Sequence, residues 1–204
     1  MTDESTRARV VDAAIGCILD EGFYRASSNK IAKRAGVTWG VIQYHFGTRE
    51  ALLLAVHERG LDELDRCLTE AVIVGDTLDA RLESFVDALW SYYRRPEFLA
   101  YMQVMLNLSH DPTTASSTQA ALKPVGARVN ERVPELTREI VGTDMSDAEI
   151  QRIGRFIYNV VRGLALDQEL VEAMPIEHST AAEFDRQRAE LVHALARSVR
   201  AGFR

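Results

Sequence analysis

Apolar residues recur at helical spacing along nearly the whole chain. Val11, Ala14, Ile15 and Ile18 share one face of a first segment, and Gly22 is its natural stop. A second, short helix is expected from about Ser27 to Ala35, with Ile31, Ala32 and Ala35 on one side and Gly36 ending it. A third spans residues 39–46, and a fourth opens at Thr48 and carries Leu52, Leu53, Val56 and Leu61. Leu82, Phe85, Val86, Leu89 and Tyr93 form the next stripe, broken at Arg95-Pro96. Phe98, Tyr101, Met102, Met105 and Ser109 form another, stopped near Asp111-Pro112.

Residues 114–142 are less apolar and contain Pro124 and Pro134, which predicts a kinked or interrupted helix. Ser146 precedes a strong stripe of Ile150, Ile153, Ile157, Val160, Val161 and Leu164. Residues 174–180 (MPIEHST) read as a loop, and a last helix from about Thr180 carries Phe184, Leu191, Val192, Leu195 and Val199. No run sustains the period-two alternation of strands, so the predicted class is all-α. The boundary between two helical regions is expected within or just after the fourth helix, around residues 60–70.

Composition narrows the picture without changing it. At 204 residues, 47% hydrophobic and 26% charged, the chain suits a globular fold with a real core. Its longest apolar run, Ala51 to Val56, is far below the roughly 20 residues that span a bilayer. The polar N-terminus is no secretory signal, and Cys17 and Cys67 imply no disulfide framework, so a cytoplasmic location is the default expectation. Charge alters the picture more. The net charge is −6, yet residues 22–49 hold Arg25, Lys30, Lys33, Arg34 and Arg49 with no Asp or Glu. A basic patch on an acidic chain attracts a polyanion locally and repels it elsewhere.

That basic window contains GVTWGVIQYHF, residues 36–46. Two short helices joined by Gly36-Val37-Thr38 make a helix-turn-helix when the first helix packs behind them. Thr38 is a good N-cap residue, and Val37 can staple onto Ile42. At 100° per residue the third helix divides cleanly. Val41, Ile42, His45 and Phe46 face the core, whereas Trp39, Gly40, Gln43 and Tyr44 face outward.

An outward face of this composition suits a DNA major groove. Gln43 can pair with the N6 and N7 edge of adenine, and Gly40 lets the backbone approach closely. Trp39 has two readings, a contact with a thymine methyl or sugar carbons and a half-buried packing role. Tyr44, His45, Ser28, Lys30 and Arg49 are placed for phosphate oxygens. His45 reads as a core-edge or phosphate residue rather than a catalytic one.

The run SSNKIAKRAGVTWGVIQYHFGTREALLLAV, after a helix ending in EGFYRAS, resembles the TetR family of bacterial transcriptional repressors over about residues 6–57. Ile31-Ala32, Ala35-Gly36-Val37, Thr38, Gly40, Ile42, His45-Phe46, Arg49-Glu50 and Leu52 stand at the family's positions. Two departures are visible. The family usually has Tyr where this chain has Gln43, with the tyrosine here at Tyr44, and many members have Lys in place of Arg49.

The resemblance implies an N-terminal three-helix DNA-binding domain over residues 1–48. It implies a helical effector-binding and dimerisation domain over 49–204, joined through the fourth helix. It further implies a homodimer formed through the last two helices, bound to palindromic double-stranded operator DNA and released by a small-molecule effector. The apolar stripes of those two helices serve a dimer surface and an intramolecular core equally well.

Phe85, Leu89, Trp90, Tyr93, Phe98, Tyr101, Met102 and Met105 supply an aromatic and thioether lining for an apolar or aromatic effector, or simply a packed core. Asn107, His110, Tyr158 and Asn159 are candidate polar anchors. The competing classes are an enzyme and a helical small-molecule-binding protein without DNA function. No phosphate loop, HExxH, nucleophile elbow or dinucleotide fingerprint is present, and the five histidines are scattered. No catalytic residue, metal site, cofactor or membrane partner is therefore expected.

Overall fold

The computed structural model describes residues 3–125, 127–142, 145–173 and 181–201. Ten α-helices and no strand occur among them: α1 (Asp3–Glu21), α2 (Ser28–Ala35), α3 (Trp39–Phe46), α4 (Arg49–Glu70), α5 (Leu78–Tyr93), α6 (Pro96–His110), α7 (Ser116–Val125), α8 (Ala127–Val141), α9 (Asp147–Ala173) and α10 (Ala181–Arg200). The all-α expectation holds, and the proline-bearing region is two helices, α7 and α8. The expected MPIEHST loop lies outside the described residues.

Local chemistry accounts for most helix ends. Gly22 (φ +83°) and Gly36 (φ +66°) close α1 and α2 in the left-handed region that side chains disfavour. Pro96 opens α6, where its missing N–H and fixed φ cost nothing. Ser146 and Glu149 form a reciprocal capping box at α9, the Ser146 N–H donating to Glu149 Oε2 at 2.9 Å and the Glu149 N–H to Ser146 Oγ at 3.4 Å.

The chain divides into two compact units, Met1–Glu63 with Arg95–Ala127, and Leu64–Arg94 with Arg128–Arg204. The first division falls inside α4, between Glu63 and Leu64. In the first unit, α1 to α3 and the first part of α4 share one core with α6. Gly60 allows a close approach there: a Cβ at this position would lie 2.5 Å from the Tyr101 ring. The Tyr101 hydroxyl donates to Glu63 at 3.1 Å, and the Phe23 N–H donates to Gln103 Oε1 at 3.3 Å.

In the second unit α5 packs on α9 and α10. α8 meets α9 where Gly154 leaves room for Thr137, whose hydroxyl donates to the Val133 carbonyl at 2.7 Å. Arg81 Nε donates to the Ile140 carbonyl at 2.9 Å, tying α5 to α8.

Candidate nucleic-acid interface

The turn between α2 and α3 follows from its residues. The Gly36 N–H reaches the Lys33 carbonyl at 3.2 Å and the Val37 N–H reaches the Ala32 carbonyl at 3.0 Å, which turns the chain sharply. Val37 packs against the core and Ile42 is fully buried, as the staple requires. Thr38 is the N-cap residue in extended geometry (φ −86°, ψ 159°), but its hydroxyl makes no capping bond. This corrects the expectation of a side-chain cap.

Ser27, the N-cap of α2, behaves in the same way. Elsewhere in the chain, Thr48 accepts from the Ala51 N–H at 3.1 Å and Thr77 from the Ala80 N–H at 3.2 Å. The first-turn amides of α2 and α3 therefore have no side-chain acceptor at the N-cap. Helix N-termini with unsatisfied N–H groups favour anions.

The outward face of α3 is close to that predicted. Gly40, Gln43 and Tyr44 are exposed, Tyr44 at 79%. A Cβ at Gly40 would meet only Thr38 Oγ1 at 3.7 Å, so nothing within the fold requires glycine there. Trp39 departs from the outward expectation. It is half-buried against the core and also forms one wall of an open groove.

His45 takes the core-edge place among its two readings. Its side chain is only 7% exposed, with Nε2 3.6 Å from Asp3 Oδ1. Together with Phe46, over which the Arg7 guanidinium stacks at 5.2 Å, it fastens α3 to α1.

Tertiary structure redraws the charge map. Lys30 pairs with Glu21, and Arg34 with Asp20, whose hydrogen bond holds the guanidinium above its usual range. Thus α1, just ahead of the acid-free window, supplies carboxylates to two of its five cations. Exposed pairs of this kind contribute about 0–1 kcal/mol and exchange readily for other anions.

Arg49 is committed differently from the expected phosphate contact. Its Nη2 donates to the Phe23 carbonyl at 3.2 Å and the Ala26 carbonyl at 3.4 Å, with the guanidinium 5.1 Å over the Phe23 ring. Burial lowers its pKa, although a guanidinium stays charged at physiological pH. Arg25 and Lys33 form no ion pair among the described residues.

Ser28 lies at the start of α2, half-buried on the wall of the same groove. The groove, about 530 Å³, is lined by Tyr24, Ser27, Ser28, Asn29, Trp39 and Arg49 and contains no carboxylate. Tyr24, Ser27 and Asn29 were not among the sequence candidates. The sign of them in the sequence is a polar, aromatic run leading into α2.

The candidate effector residues fall into both units. In the second, Phe85, Leu89, Trp90 and Tyr93 are buried on α5, with the Tyr158 ring edge-on to Tyr93 at 5.9 Å. Burial pushes the Tyr93 hydroxyl well above its usual pKa. Asn159 is exposed and accepts from Arg162 Nη2 at 3.1 Å. In the first unit, Phe98 and Tyr101 are buried on α6, Met102, Met105 and Asn107 are half-buried, and His110 is exposed. Burial first, then the neighbouring Glu63 carboxylate, pushes the Tyr101 hydroxyl up strongly.

Residues 10–56 match the family described as bacterial regulatory proteins, tetR family. The chain is 31% identical over 88 residues to the HTH-type transcriptional regulator SrpR of Pseudomonas putida, covering 43% of this chain and 41% of that one. It is 29% identical over 142 residues to an uncharacterised HTH-type transcriptional regulator of Mycobacterium bovis, covering 68% and 62%. The matches thus span less than two thirds of these relatives. The fold superposes on a transcriptional regulator, FadR of Bacillus subtilis in complex with stearoyl-CoA, with a TM-score of 0.63 at 12% identity, over 94% of this chain and 96% of that one.

Proposed function

This chain belongs to the TetR family of bacterial regulatory proteins, and on that premise we propose a ligand-responsive DNA-binding transcriptional regulator. Its action is that of a repressor, held on a palindromic operator as a homodimer and released by a small apolar or aromatic effector. Residues 1–48 form the DNA-binding domain, and residues 49–204 carry effector binding and dimerisation. The observation that carries this reading is the exposed face of Gly40, Gln43 and Tyr44, on a helix fastened to the core from behind by Ile42, His45 and Phe46. Gln43 reads a base edge, and Tyr44, Ser28, Lys30 and the first-turn amides of α2 and α3 meet phosphates.

Exposed Phe156 (46%) and Leu170 (55%) on α9 support a twofold contact through α9 and α10. The stearoyl-CoA complex of a protein of the same fold supports an effector with an apolar body, which suits the aromatic residues of α5. By mass action, the effector shifts the protein away from DNA only through differential affinity for two states.

The direct experiment is selection of bound duplexes from a random pool. Enrichment of an inverted repeat, with half-sites spaced by whole helical turns (about 34–36 Å), is expected. Absence of any enriched sequence would favour the alternative, a helical binding protein without DNA function.

A further inference from the structure

We propose that Tyr24, on the loop between α1 and α2, is a further DNA-contacting residue. It packs its ring on the sugar–phosphate backbone beside the recognition helix and donates its hydroxyl to one phosphate per half-site. The inference rests on the DNA-binding reading above and extends it to a residue outside the helix-turn-helix.

Tyr24 is 83% exposed, the most exposed large hydrophobic side chain among the described residues. An aromatic ring left so open is informative when its backbone is held rigidly, because no local collapse can cover it. The backbone here is held on several sides. Gly22 accepts from the N–H groups of Arg25 and Ala26, at 3.2 and 3.1 Å, and Ser27 donates to the Arg25 carbonyl at 2.8 Å. Arg49 clamps the carbonyls of Phe23 and Ala26 from α4, and Gln103 holds the Phe23 N–H from α6. The Phe23 ring is buried and lies edge-on to Tyr24, 5.4 Å between centroids at 89°.

The ring forms one wall of the groove that also holds Trp39, the first residue of the recognition helix, and the start of α2. A partner entering this groove meets aromatic surface, the hydroxyls of Ser27 and Ser28, the Asn29 amide and the positive charge of Arg49, with no carboxylate in the lining. Arg25, beside Tyr24, adds a cation that forms no ion pair among the described residues. Apolar sugar carbons flanked by anionic oxygens are the complement of that surface. Such contacts fix register and carry no sequence information.

The test uses the full-length protein, the duplex enriched by selection, and Tyr24→Phe and Tyr24→Ala. Both variants should keep the wild-type melting temperature, because the side chain is exposed. Tyr24→Ala should weaken binding about tenfold or more and Tyr24→Phe by less, as for loss of a hydrogen bond to a charged group. Neither should change the selected consensus. In ethylation interference, one phosphate per half-site that matters to wild type should cease to matter to Tyr24→Phe. Wild-type affinity in both variants, with an unchanged interference pattern, would overturn the inference alone. Failure of the wild-type protein to enrich any duplex would instead remove the DNA-binding reading on which it rests.

Discussion

Gly40 separates the needs of the fold from those of a partner. Its virtual Cβ meets nothing closer than 3.7 Å, and alanine is favoured over glycine inside a helix by roughly 1 kcal/mol. Gly40→Ala is therefore expected to keep or raise the melting temperature while weakening operator binding, because the methyl group occupies the closest approach to DNA. A calorimetric scan and a binding titration on the same preparation check both halves. Gln43→Ala should act differently, losing discrimination at particular base pairs by about 1–3 kcal/mol while other positions stay unaffected. Repeating the duplex selection with this variant would show it, and an unchanged consensus would remove Gln43 from the readout.

Among elements, α4 and α6 meet closely at Gly60. A methyl at position 60 would lie 2.5 Å from the Tyr101 ring, which is itself buried and bonded to Glu63. Gly60→Ala should destabilise the protein by about 1–3 kcal/mol, as overpacking does. Urea unfolding midpoints would measure it, and a neutral result would mean that the two helices separate freely.

The same helix carries His57, buried and held below its usual pKa by that burial. A depressed folded-state pKa means that protons prefer the unfolded chain. The contribution is fully present above the ordinary histidine pKa of 6.5 and is lost as pH falls through the lower folded-state value. Stability should thus decline as pH falls below about 6.5, and His57→Leu should flatten that part of the profile. A variant with the wild-type slope would assign the pH dependence to other groups.

For the whole molecule the central expectation is association. Leu170 and Phe156 on α9 are exposed, which a water-facing helix of a lone protomer gains nothing from. Replacing both by Glu should lower the dimer fraction in sedimentation and, with it, affinity for a two-half-site duplex, while single half-site binding persists. An unaltered sedimentation profile would remove this face of α9 as an association surface.

Much of this architecture could be read directly from the chain. The stripes of α1 to α6 and the stops at Gly22, Gly36 and Pro96 are local properties, set by side-chain periodicity and by φ preferences. The recognition helix was legible for the same reason, since one face of eight residues is apolar and the other is not. What lies far apart in sequence was not legible. That α6 joins the core of α1 to α4 follows from Gly60 and Tyr101 meeting across 41 positions, a pairing that no local pattern announces. The aromatic run of residues 85–105 looked continuous, yet packing divides it between two units at Arg94 and Arg95.

Charge shows the same division of labour. The absence of acids from residues 22–49 is a fact of sequence. Only the fold brings Glu21 to Lys30, Asp20 to Arg34 and Asp3 to His45, because α1 lies alongside α2 and α3. By itself the sequence determined helix identity, the turn and the outward face of α3, since each depends on neighbours within a few residues. Tertiary structure decided which cations remain free, which aromatics are buried and which, like Tyr24, stand open. Those outcomes depend on which surfaces meet, and that is settled by the packing of the whole chain.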